Sequence, residues 1–97
     1  MKEVFVFNSY RALPGFEEAV GSALQRIAVK VKAEPGCRLL QICRSIADPG
    51  HYMVYMCWAD EAALDRAMKR PFVIEFLDQI ELLTGHPLNA LFTNKLD

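Results

Sequence analysis

The sequence predicts an α+β fold of the ferredoxin-like βαββαβ type, an antiparallel four-stranded sheet with its helices on one face. Three observations lead there. The 97-residue chain has the length of one domain, 1–97, with no repeat, low-complexity tract or linker. Segments rich in β-branched and aromatic residues alternate with segments whose apolar residues recur every three or four positions. Short turns containing Pro or Gly separate them in the order strand, helix, strand, strand, helix, strand.

The first strand is Glu3 to Tyr10, read from its Val and Phe content. Leu13-Pro14-Gly15 breaks it, with Pro14 suited to the first turn of a helix. From Phe16 onward, Val20, Leu24, Ile27 and Val31 follow helical spacing, while Glu17, Glu18, Arg26 and Lys30 lie off that stripe. Glu34-Pro35-Gly36 must end this helix, because Pro35 disfavours helix in the preceding residue and Gly36 permits a sharp turn. Cys37 to Ser45 is the second strand, and Ala47-Asp48-Pro49-Gly50 turns the chain into the third, HYMVYMCW at 51–58. Asp60 is placed to cap a helix carrying Ala63, Leu64, Ala67 and Met68. Pro71 interrupts that helix, and Phe72, Ile74, Phe76, Leu77 and Ile80 continue it in a second segment. Thr84-Gly85-His86-Pro87 closes it, and Leu88 to Leu96 forms the last strand.

The third strand lacks a polar face. Tyr52, Val54, Met56 and Trp58 share one side, and Met53, Tyr55 and Cys57 share the other. In the first strand Val4 and Val6 likewise alternate with Phe5 and Phe7. Helices cover one face only, so a monomer would expose a larger apolar patch than soluble proteins usually tolerate. A homodimer with twofold symmetry, its sheets face to face, removes the patch.

The formal net charge of −1, from 11 basic and 12 acidic residues, gives no electrostatic footprint for nucleic acid or an anionic membrane. At the start of the chain, MKEVFVFNSY holds only four consecutive apolar residues, too few for a signal segment or a membrane span, so a cytoplasmic location is expected. The three cysteines, Cys37, Cys43 and Cys57, form no CxxC and read as reduced thiols. His51 and His86 have no second ligand at metal spacing, and neither GxGxxG nor GxxxxGK[ST] occurs. No metal and no cofactor are therefore expected.

PGFEEAV at 14–20, EPGC at 34–37, DPGHYMVYMCWADEAAL at 48–64 and RPF at 70–72 together resemble the antibiotic biosynthesis monooxygenase (ABM) domain. The resemblance spans nearly the whole chain. It implies a dimeric α+β barrel, a small hydrophobic cavity in each protomer between sheet and helices, and oxygenation without metal or flavin. Many members carry one histidine in the helix after the Trp strand and another just past the break, where this chain has Ala67 and Phe72. The heme-degrading branch pairs a first-strand asparagine, matched by Asn8, with a helical tryptophan and a histidine, where this chain has Arg66 and Phe76. Heme therefore lacks an evident axial ligand here.

The candidate residues each carry two readings. Asn8 can face a cavity and hydrogen-bond a substrate carbonyl or oxyanion, or cap the turn that follows. Trp58 can stack on an aromatic substrate or anchor the next helix in the core. Tyr10, Tyr52 and Tyr55 can donate into a pocket or sit at the dimer seam, and Arg11 and Arg38 can meet a carboxylate or stay solvated. His51 and His86 are the candidate general bases, each alternatively an exposed loop or strand-end residue. The expected pocket lies near Asn8, Tyr10, Trp58, Phe72 and Phe76, where the break at Pro71 loosens helix packing. Two functions compete: a cofactor-independent monooxygenase of a small aromatic or quinol-type substrate, and a non-enzymatic dimer that binds a small hydrophobic molecule. An isomerase of small carbonyl compounds is a third.

Overall fold

The computed structural model describes residues 2–85 and 89–96. Its elements are β1 (Val4–Arg11), α1 (Glu17–Lys32), β2 (Cys37–Arg44), β3 (His51–Trp58), α2 (Glu61–Met68), α3 (Pro71–Thr84) and β4 (Asn89–Asn94). The strands form one sheet in the order β2-β3-β1-β4, and every neighbouring pair is antiparallel. This is the ferredoxin-like arrangement, with the second helix of the βαββαβ plan divided in two. Among the described residues no helix is long and apolar enough to cross a membrane.

Each helix boundary has a local cause. Pro14 does not enter α1, contrary to expectation: Gly15 takes a left-handed φ of +89° and its N–H donates to the Glu17 carboxylate, so the helix starts only at Glu17. Gly36 also has φ +89°, and a Cβ there would lie 2.5 Å from the Ala63 Cβ, so the turn after α1 requires glycine for both conformation and space. Asp60 caps α2 by accepting from the Ala63 N–H at 2.9 Å. Pro71 holds Arg70 in extended conformation (ψ 137°) and occupies the first turn of α3, which splits the two helices. Arg70 donates to Glu34 at 2.7 Å, tying that break to the end of α1.

Strand alternation sorts the sheet into two faces. Val4, Val6, Asn8 and Tyr10 of β1 and Tyr52, Val54, Met56 and Trp58 of β3 are all buried beneath the helices. From α1 come Val20, Leu24, Ala28 and Val31. Ile27, expected on the same stripe, is only half-buried because a 3.6-residue turn carries the buried line to Ala28. The other face holds Phe5, Phe7 and Tyr55 as an aromatic cluster, with the Phe7 and Tyr55 rings 5.0 Å apart. Met53 and Leu91 extend this exposed apolar surface.

Candidate active site

Between the covered face of the sheet and the helices lies a cavity of about 70 Å³. Leu40, Ile42, Val54 and Met56 form its floor, Leu24, Ile27, Ala28 and Val31 of α1 one wall, and Met68, Val73, Phe76 and Leu77 the other. Two polar side chains reach it, Asn8 and Tyr10. Both come from β1, two residues apart on one face, which separates their Cα atoms by about 7 Å. A register slip of one residue would turn both to the other face, so the pairing Asn8↔Val54 is what brings the amide inward.

Asn8 is 7% exposed, and its Oδ1 has no hydrogen-bond partner among the described residues. A buried amide group left unpaired costs roughly 1–3 kcal/mol. Rotation of the amide by half a turn exchanges its acceptor and donor ends, so Asn8 can offer either to a molecule in the cavity. Tyr10 packs edge-on against Phe76, the ring centroids 6.4 Å apart. Burial pushes its phenol far above the usual tyrosine range, which makes it a neutral hydrogen-bond donor and not a base. Among the described residues the cavity is lined by no histidine or carboxylate.

The remaining expected residues lie elsewhere. His51 is not brought to Asn8: it pairs with Arg11 on the opposite parity of the sheet, and its Nε2 lies 2.9 Å from the Ser9 Oγ. The even-numbered residues of β1 face the cavity, so the odd ones and their partners cannot. Trp58 is wholly buried at the end of β3 but does not line the cavity, which corrects its placement in the pocket. It pairs with Val4 and Cys37, and that register sets it beyond the Val54 and Met56 floor. Phe72 lies outside as well, in a groove between α1 and α3, with Lys30 Nζ 5.6 Å from its ring centroid. Phe76 lines both spaces. His86 lies outside the described residues.

Tyr52 donates its hydroxyl to the Glu17 carbonyl at 2.9 Å, and Tyr55 stays on the open face. Arg11 pairs with Asp48 and Arg38 with Glu3, all at the surface. Sequence reasoning missed Ala28 and the Val54–Met56 floor. Their signal was there: Ala28 is the small residue in a buried line of Val20, Leu24 and Val31, and Val54 and Met56 share the inward face of β3 with Tyr52.

Heme does not fit this site. The position matched to the branch's histidine presents the Phe76 ring, the phenol of Tyr10 is held protonated, and the space is far smaller than a porphyrin. Among the described residues no three His, Cys, Asp or Glu side chains gather to hold a metal ion.

Solved structures of similar shape include Rv0793 from Mycobacterium tuberculosis, 22% identical, with a TM-score of 0.90 over 98% of this chain and 96% of that one. PA3566 from Pseudomonas aeruginosa is also 22% identical, with a TM-score of 0.90 over 100% and 97%. A conserved protein from Methanosarcina mazei Go1 is 14% identical, with a TM-score of 0.91 over 99% and 95%. At these identities the likeness shows the fold. The search of curated proteins finds no match. The family model described as antibiotic biosynthesis monooxygenase matches residues 3–79, well over half of the sequence, and the chain belongs to that family.

Proposed function

We propose that this chain is a cofactor-independent monooxygenase of a small aromatic or quinol-type substrate bound in the Asn8 cavity. The observation that carries the reading is the unpartnered Oδ1 of Asn8 in a space whose lining is otherwise apolar but for Tyr10. A substrate ring would replace apolar contacts with apolar contacts, while its oxygen would satisfy the one polar group that now pays a desolvation cost.

The lining also restricts the chemistry. Tyr10 stays protonated, so the substrate must be acidic enough to lose its own proton to solvent on entry. Asn8 Nδ2 and the Tyr10 hydroxyl then donate to the resulting oxyanion. Oxygen, itself apolar, partitions into such a site. Addition of O2 at an activated CH2 carbon of the anion gives a peroxide. Loss of water leaves a carbonyl on that carbon: one oxygen atom is retained, the other leaves in water, and no outside reductant is needed.

The cavity has less than half the volume of a dry protein cavity of about 150 Å³ that binds benzene. Entry of a ring therefore requires the half-buried side chains of the helix wall, Ile27, Phe76 and Leu77, to move outward. The absence of a histidine or carboxylate from the described lining favours a second reading, a protein that binds a small hydrophobic molecule without turning it over. Under either reading the aromatic face of Phe5, Phe7 and Tyr55 seats a second copy of the chain.

Oxygen uptake with a panel of hydroquinones and activated-CH2 aromatic ketones separates the two. An oxygenase consumes oxygen, and Asn8→Ala lowers the rate by roughly ten- to a thousandfold. No uptake with any member of the panel, beside measurable binding, selects the second reading.

A further inference from the structure

The groove between α1 and α3, about 220 Å³, is separated from the inner cavity by two side chains that line both spaces, Ile27 and Phe76. Both are half-buried, as a movable partition requires. Phe72 and Phe76, one turn apart on α3, make the groove aromatic, and Arg26 and Lys30, one turn apart on α1, make it cationic. Glu75 is the acidic side chain on the same lining, with Gln79 beside it.

The groove brings two cations without a carboxylate partner, one turn apart, beside two phenyl rings; Lys2, Lys32, Arg66, Lys69 and Lys95 also form no ion pair among the described residues. Arg11, Arg38, Arg44 and Arg70 each pair with a carboxylate. Neither Arg26 nor Lys30 forms an ion pair among the described residues, and Lys30 rests over the Phe72 ring instead.

We infer that this groove is the entrance to the cavity and holds the anionic end of an aromatic carboxylate, whose ring passes Ile27 and Phe76 toward Asn8. The inference rests on the cavity being the substrate site and narrows the substrate class to aromatic acids. Two cations lining the same groove as the Phe72 and Phe76 rings, with Lys30 over Phe72, suit a carboxylate attached to an aromatic ring, because the ring makes apolar contacts where the charge is neutralised. An uncharged aromatic would gain the ring contacts alone.

The test uses naphthoate and its methyl ester as probes, with binding followed by calorimetry in low salt. For the charged probe, Arg26→Gln combined with Lys30→Gln weakens binding about tenfold, the sum of two partly exposed charge contacts. For the ester it changes nothing beyond twofold. Phe76→Trp, which thickens the partition, slows association of both probes. Circular dichroism confirms that the exposed double variant stays folded. Failure of naphthoate to bind, or a double variant that affects both probes alike or neither, overturns the inference. Oxygen uptake reports separately: charge-dependent naphthoate binding without turnover of any hydroquinone removes the oxygenase and keeps the entrance. Turnover sensitive to Asn8→Ala, with naphthoate binding indifferent to charge, does the reverse.

Discussion

Asn8→Leu should make the protein more stable while removing its function. Asn8 is 7% exposed and its Oδ1 is unpaired, so the native state carries an amide desolvated without compensation. Leucine branches at the same carbon but is larger, and the cavity of about 70 Å³ leaves room for its methyl groups to meet Val54, Met56 and the other apolar lining groups. Removing the unpaired group returns roughly 1–3 kcal/mol, and asparagine is in any case a poor strand former. For a domain of this size, with a urea slope near 1 kcal/mol per M, the midpoint should rise by about 1–3 M. Thermal midpoints should rise by roughly 4–8 °C per kcal/mol. Equilibrium urea unfolding at one fixed protein concentration is the assay, because association would otherwise add to the apparent stability. Asn8→Ala is the control: it also removes the amide but leaves a void, so its gain must be smaller. A midpoint for Asn8→Leu at or below that of the wild type would refute the reasoning, since the amide would then have a native partner such as an ordered water.

Tyr55→Glu places a carboxylate in the aromatic cluster of the open face, and light scattering should show the wild type at twice the chain mass and the variant at one chain mass; a wild type that is already monomeric refutes the pairing. Gly36→Ala should cost about 2 kcal/mol or more in chemical unfolding, from the left-handed φ of +89° together with the 2.5 Å approach to the Ala63 Cβ; a loss below about 0.5 kcal/mol would contradict that geometry. Ultraviolet titration should show a tyrosine that ionises above the ordinary tyrosine range and is lost in Tyr10→Phe. Because burial raises the folded-state pKa of Tyr10, the unfolded chain ionises first, and stability should be complete below the ordinary tyrosine range and fall as pH rises through it; ionisation of Tyr10 within the ordinary range would disprove the burial.

The order and type of the elements were legible because each is a local matter. Alternation in VFVF and HYMVYMCW, the stripe through Val20, Leu24 and Val31, the cap at Asp60 and the stops at Gly36 and Pro71 all act within a few residues of themselves. Asn8 was visible as the polar residue that ends the apolar run VFVF, and strand parity alone tied it to Tyr10. Membership of the site was not local. His51 and Asn8 are both near strand ends, and only the register Arg11↔His51 beside Asn8↔Val54 shows that they face opposite sides of the sheet. Trp58 and Phe72 are aromatic residues like Phe76, yet the turn of α3 and the length of β3 leave Phe76 at the cavity, Phe72 in the outer groove and Trp58 in the core. A cavity is what remains when side chains from six segments fail to fill a space. Its position depends on the sum of their volumes, which no short stretch of sequence contains.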